Sequence, residues 1–265
     1  MRGPILMAVF GLLVTAGGAL AQAPDTVFLE ELTWTEVRDA IRAGKTTIIV
    51  PAGGTEQNGP HMALGKHNAR VKILSQDIAR ALGDALVAPV IAYVPEGGIA
   101  PPTAHMRYPG TITVPEEAFQ KVLEFAARSF KLHGFRNIVL LGDHGSTQAG
   151  QKAVAARLNR EWVATGVRVH AIEEYYRAGE IEVPRLLRAR GYSDAELGRH
   201  AGLTDTALML ATDARMVRPD RLRPGREGDG VDGDPTRATA ELGRPSVELI
   251  VSRTVDAVRK SITHR

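Results

Sequence analysis

Along this chain, short apolar runs rich in β-branched residues alternate with longer stretches whose apolar residues recur every three or four positions. Residues 46–50 form one such run, with Ile48, Ile49 and Val50 consecutive, the composition of a strand buried on both faces. Similar runs at 86–94, 137–141 and 167–172 predict three further strands. Thr33 and Glu36 form a capping box ahead of Val37, Ala40 and Ile41, with Gly44 as a stop signal. Val71, Leu74, Ile78 and Leu82 predict a helix running from Asn68 to Gly83. Pro115 suits the first turn of a helix that carries Phe119, Val122, Leu123, Ala126 and Phe130 on one face and ends at Gly134. Residues 149–162 form another. The alternation predicts an α/β protein in three layers, α/β/α, whose mostly parallel sheet is covered by helices on both faces. No internal repeat or linker divides residues 22–265, which read as a single domain.

The first 21 residues break this pattern. Arg2 is followed by an apolar run at 5–16 and then by Ala19-Leu20-Ala21, the layout of a signal peptide with its small-x-small cleavage site. The run is too short to span a bilayer comfortably, and no other reaches membrane length. The mature protein is therefore expected to be soluble, without a membrane partner, and periplasmic or secreted. The chain has no cysteine, so it carries neither disulfides nor thiolate ligands. Thirty-three Lys and Arg against thirty Asp and Glu leave a formal charge of +3, which gives no electrostatic footprint for nucleic acid. The run Arg215, Arg218, Arg221, Arg223 and Arg226 is interrupted by Pro219 and Pro224 and reads as an exposed loop.

In open α/β sheets, ligands bind beyond the carboxyl ends of the strands. Two predicted strands here end in residues able to hold a cation or move protons. The first runs into Gly53-Gly54-Thr55-Glu56-Gln57-Asn58-Gly59-Pro60-His61 and on to Lys66-His67; the second runs into Gly142-Asp143-His144-Gly145-Ser146. Glycines let the backbone approach a ligand closely, and the acids and imidazoles beside them are donors for a hard or borderline cation.

These segments also carry a resemblance. Thr55-Glu56-Gln57-Asn58-Gly59-Pro60-His61 is similar to the T-E-Q-H-G-P-H element of the creatininase (creatinine amidohydrolase) family, and Tyr108-Pro109-Gly110-Thr111-Ile112 to its F-P-G-T-I. Gly142-Asp143-His144-Gly145 stands where that family has N-G-H-G, and His200-Ala201-Gly202-Leu203-Thr204-Asp205-Thr206 resembles H-A-G-x-x-E-T. The segment 233–243 resembles G-D-P-x-x-A-T-x-E-x-G. The resemblance implies a creatininase-like α/β/α domain, frequently a homo-oligomer, that hydrolyses C–N bonds of small amide or cyclic-amide substrates with one or two divalent metals.

The resemblance also implies a ligand set, and this chain departs from it. The family glutamate is Glu56 and the histidine of N-G-H-G is His144, but the family's histidine two residues after the glutamate is Asn58. Its bridging aspartate is His67, and a carboxylate carried by some members is Ser146. A carboxylate can bridge two metals because each oxygen binds one, whereas an imidazole has a single free lone pair. The expectation is one metal, held by Glu56, His67 and His144: zinc, with manganese or iron as alternatives. His200 and Asp205 match the family's acid–base positions, with Asp205 also suited to capping a helix. Asn58, His61, His105 and Ser146 are candidate pocket residues. His133 and His170 read as structural and Lys66 as a solvated lysine. A fold that keeps its shape as a binding protein, or a lyase or isomerase using the same cation, are the competing readings.

Overall fold

The computed structural model describes residues 24–263; the expected signal peptide, residues 1–21, lies outside them. Strand β1 (Thr47–Ala52) is buried along its whole length. It pairs in parallel with β2 (Ala85–Val87) on one side and β3 (Asn137–Gly142) on the other, and β3 pairs in parallel with β4 (Arg168–Ala171). The order is β2-β1-β3-β4, and Ile49 stands beside both Val87 and Val139. Helix α1 (Trp34–Arg42) leads into the sheet, and α2 (Lys66–Leu82), α3 (Glu116–His133) and α4 (Thr147–Glu161) make the crossovers. After β4 come the short helices α5 (Glu174–Arg177), α6 (Val183–Arg188) and α7 (Asp194–Leu197), then α8 (Leu203–Asp213) and the long α9 (Ala240–Thr263).

Because successive strand residues point to opposite faces, β1 and β3 build two cores at once. Ile49, Val139 and Leu141 pack with Val71, Leu74 and Ile78 of α2 and with Leu208, Leu242 and Ile250 of α8 and α9. Ile48, Val50, Ile138 and Leu140 pack with Phe119 and Leu123 of α3 and with Val154 and Leu158 of α4. The result is the expected α/β/α layering. Gly243 serves the first core: a Cβ there would stand 2.0 Å from the carbonyl oxygen of Ala207, so glycine lets α9 cross α8 closely. Among the described residues, no helix is long and apolar enough to cross a membrane.

Thr33 and Glu36 form the capping box of α1 as expected: Glu36 accepts from the Thr33 N–H at 2.7 Å, and the Thr33 hydroxyl accepts from the Glu36 N–H. Two boundaries and the facing of one residue differ from the sequence reading. The strand expected over 86–94 ends at Val87, because Pro89 has no N–H to give a ladder; beyond it only single bridges join Ile91 to Ala52 and Val94 to Thr113. Val122 of α3 faces outward, 50% exposed, while Phe119, Leu123 and Ala127 are buried. Helix α2 begins at Lys66 rather than Asn68, which turns Lys66 and His67 inward over the end of β1.

Candidate metal centre

The ends of β1, β2 and β3 and the first turns of α2 and α8 converge on the Glu56 carboxylate, which is wholly buried. Its two oxygens face different surroundings. Oε2 lies 2.8 Å from His144 Nε2 and 3.1 Å from His105 Nε2; Oε1 lies 2.8 Å from His67 Nε2 and 3.8 Å from Lys66 Nζ. Burial alone would push the Glu56 carboxyl up, but His67, His144 and Lys66 outweigh it and hold the group ionised.

Beneath Glu56 runs a buried charge network. His67 Nδ1 lies 2.5 Å from Asp143 Oδ1, so both ring nitrogens face carboxylates. Burial and Lys66 disfavour a charged ring, yet Glu56 and Asp143 together raise its pKa. Arg70 donates to both Asp143 oxygens, at 2.7 to 3.1 Å, and to Asp205 Oδ1 at 2.9 Å. Tyr175 donates its hydroxyl to Asp143 Oδ2 at 2.5 Å. Asp205 also accepts from Lys66 Nζ at 2.9 Å and from the Ala201 N–H at 2.9 Å. Burial opposes its charge, but Lys66 and Arg70 hold its pKa well below the usual carboxylate range. Lys66 is only 1% exposed: the solvated-lysine reading is corrected, because its ammonium is paired inside the site.

Above Glu56 the structure brings in a residue that the sequence reading did not select. Glu96, nine residues beyond the end of β2, is 3% exposed, and neither carboxylate oxygen has a hydrogen-bond partner. Its Oε2 stands 3.3 Å from His144 Nε2. Burial and the Glu56 charge push the Glu96 carboxyl well above the usual carboxylate range. One ligand atom from each of Glu56, Glu96, His105 and His144 lies within 4.8 Å of the others. Four donors around a tetrahedral ion with bonds near 2.1 Å would be spaced by about 3.4 Å, so small adjustments close this set on a cation. Two carboxylates and two imidazoles suit zinc, manganese or iron, and a buried carboxylate without a partner is the feature a cation would satisfy.

The remaining expected residues divide by what they touch. The Gln57 carbonyl accepts from His200 Nε2 at 2.9 Å, which fixes the proton on that nitrogen and leaves Nδ1 unprotonated, 3.8 Å from Glu56 Oε1. Burial, with Lys66 adding to it, pushes His200 down to about 4. Asp205 makes no hydrogen bond to His200; Gln57 orients that ring instead, and Ala201, at φ 56, makes the tight turn that follows it. Ser146 Oγ lies 2.7 Å from His144 Nδ1, bracing the ring. Asn58 turns its amide away, to the carbonyls of Glu56 and Ala63. His61 Nε2 reaches Thr206 Oγ1 at 3.1 Å and pins the loop to α8. A cavity of about 280 Å³ lined by Glu56, Lys66, His144, Tyr176 and His200 opens beside these groups. An adjoining groove of about 900 Å³ shares His105 and His200 and is edged by Gln57, Tyr108 and Arg226.

Fold and site together define an α/β/α protein with a buried carboxylate–imidazole centre whose donors are those of a divalent-metal site. The chain belongs to the creatininase family: the family described as creatinine amidohydrolase matches residues 30–258. It is 27% identical over 249 residues to a mycofactocin precursor peptide peptidase of Mycobacterium tuberculosis (strain CDC 1551 / Oshkosh), covering 81% of this chain and 84% of that protein. It is 25% identical over 260 residues to a creatinine amidohydrolase of Pseudomonas putida, covering 89% and 97%. The solved structure of a creatinine amidohydrolase overlays with a TM-score of 0.74 at 24% identity, over 91% of this chain and 100% of that one. Two more creatininase structures, one described as Zn-Zn type and one as a Mn form, match with a TM-score of 0.71 at 24% identity, over 90% and 89% of this chain and 99% of each of theirs.

Proposed function

We propose that this protein is an exported, metal-dependent amidohydrolase that cleaves the C–N bond of a small amide or cyclic amide. The observation that carries the reading is Glu96, a buried carboxylate with no hydrogen-bond partner beside Glu56, His105 and His144. Those four residues would hold one divalent cation, zinc by donor type. Bound there, it would lower the pKa of water and polarise the scissile carbonyl.

The protein's own groups supply the rest. His200, neutral near pH 7 with Nδ1 unprotonated, takes the proton released as water attacks the carbonyl carbon and passes it to the leaving nitrogen as the C–N bond breaks. Lys66, held by Asp205, brings a fixed positive charge to the cavity wall and offsets the negative charge that develops on the carbonyl oxygen. Gln57 keeps the His200 ring in one tautomer.

A peptide substrate is the second reading. It is favoured by the open groove of about 900 Å³ that runs past His105 and His200, which has room for an extended chain. Metal analysis of the purified protein, followed by a screen of lactams, linear amides and short peptides with and without chelator, tests both. Chelator-sensitive release of amine from the small amides supports the first reading. Release from peptides alone replaces it with the second, and metal-free protein of full stability overturns both.

A further inference from the structure

We propose that this chain has rebuilt its metal centre, with Glu96 and His105 from the segment between β2 and α3 joining Glu56 and His144 as ligands, while His67 is not a ligand. The inference rests on the metal-dependent reading above and names where its cation is held.

Three observations exclude the alternatives. His67 stands on the other side of Glu56 from the cluster: it lies between two carboxylates, Nε2 against Glu56 Oε1 and Nδ1 against Asp143 Oδ1, whereas His105 and His144 face Oε2. Asn58 commits its Nδ2 to two main-chain carbonyls, its Oδ1 being buried without a hydrogen-bond partner, and Ser146 Oγ braces the His144 ring. Both are neutral oxygen donors, weaker for a divalent cation than the carboxylates and imidazoles around Glu56 Oε2.

Two further observations place Glu96 there by construction. The Glu96 N–H donates to Thr113 Oγ1 at 2.9 Å, which anchors the segment between β2 and α3 at Glu96 itself. Gly54 lies against the carboxylate at φ 148, and a Cβ at that position would stand 2.6 Å from Glu96 Oε1. The backbone leaves room for a buried acid whose oxygens have no hydrogen-bond partner among the described residues, with His144 Nε2 3.3 Å from Oε2. Leaving a carboxylate buried without a partner is costly unless a cation completes it.

Glu56 explains the arrangement. Its Oε1 is engaged by His67 Nε2 and faces Lys66, whereas its Oε2 faces His105 and His144 of the proposed set. One carboxylate therefore joins a protein-supplied cationic side to a metal side, and the cationic side stands where a second ion would need donors.

The test is direct metal titration of the full chain after chelator stripping. Zn²⁺ affinity is read by calorimetry, and the Co²⁺ visible spectrum reports the ligand field. The wild type is expected to bind about one equivalent. E96Q, equal in shape and without the ligand charge, should lose at least about 100-fold in Zn²⁺ affinity and change the Co²⁺ spectrum, more than the 10- to 100-fold seen for residues that only support a ligand. H67N should keep one equivalent within about tenfold. E96D, which retains the charge but withdraws it, should fall between and decides the matter if E96Q does not fold. Wild-type binding that E96Q and E96D leave unchanged overturns this ligand set and leaves the metal-dependent reading standing. So does a second equivalent that disappears in H67N. Absence of metal binding in the wild type overturns both.

Discussion

Replacing Arg70 with methionine isolates the buried network beneath the site, because Arg70 touches two acids and no group of the proposed metal set. In the wild type its guanidinium donates to both oxygens of Asp143 and to Asp205 Oδ1. Asp143 would keep His67 Nδ1 and the Tyr175 hydroxyl, and Asp205 would keep Lys66 and the Ala201 N–H. Removing one partner of a buried ion pair costs about 3–5 kcal/mol. The surviving partners place R70M at the lower end, about 3 kcal/mol, and at ~2–4 °C per kcal/mol for a chain of this size that is a fall of about 6–12 °C in Tm. The sign of the pH dependence follows from the acids. Burial raises both carboxyl groups, but Arg70 outweighs it at Asp143, and Lys66 and Arg70 outweigh it at Asp205, leaving both depressed in the folded protein. Their stabilisation is complete at neutral pH and is lost as pH falls through the folded values. Without Arg70 the depression is smaller, so the gap between R70M and wild type should hold steady from pH 7 to the ordinary Asp value of about 4 and narrow only below it. Thermal denaturation at several pH values measures it. A deficit below about 1 kcal/mol at pH 7, or one that widens towards acid, would refute the claim that Arg70 neutralises these buried acids.

For catalysis, the acid limb of kcat/KM should lie near pH 4, where His200 takes a proton, rather than near the ordinary imidazole value of about 6.5. His200→Asn should abolish that limb and lower kcat/KM by about 10²–10⁴-fold; a limb unchanged in H200N would remove His200 from proton transfer. Stripping the metal should lower Tm by about 5–11 °C relative to protein held at 100 times its metal Kd, since such binding contributes about 2.7 kcal/mol; differential scanning fluorimetry with back-titration reads it. Expressed with its export segment in a host that secretes proteins, the chain should be recovered beginning at Gln22, and N-terminal sequencing checks this. Light scattering of that mature protein should give a whole-number multiple, greater than one, of the subunit mass.

The layering was legible because the strands are buried on both faces. Ile48, Ile49 and Val50 allow no amphipathic alternative, and the crossover helices keep a clear apolar face. Boundaries were less legible where burial came from polar residues. Lys66 and His67 look like a solvated helix start in a hydropathy pattern, yet they form the first turn of α2 and point into charged company. Val122 failed for the opposite reason: it fits the helical period but sits on the rim of the face. A pattern of residue types does not record where the neighbouring element stops.

The site was legible in proportion to how its residues cluster along the chain. Glu56 and His144 sit in short segments directly after strands, with glycines that signal close backbone approach, and they could be selected from the sequence. Glu96 also has glycines beside it, in Val94-Pro95-Glu96-Gly97-Gly98, but it lies nine residues beyond β2, whereas Glu56 lies four beyond β1. It was hidden even though the strand read over 86–94 ends two residues before it, because it stands alone in a Gly- and Pro-rich segment, with the nearest histidine, His105, nine residues further on. The three parallel strands β2, β1 and β3 lie side by side, and the chain beyond each reaches the cluster: Glu96 and His105 after β2, Glu56 after β1 and His144 after β3. That geometry explains how a chain that carries Asn58, His67 and Ser146 in the family's ligand positions can still surround Glu56 Oε2 with donors: parallel neighbours bring their ends to one edge, so the end of β2 can supply what the end of β1 has lost.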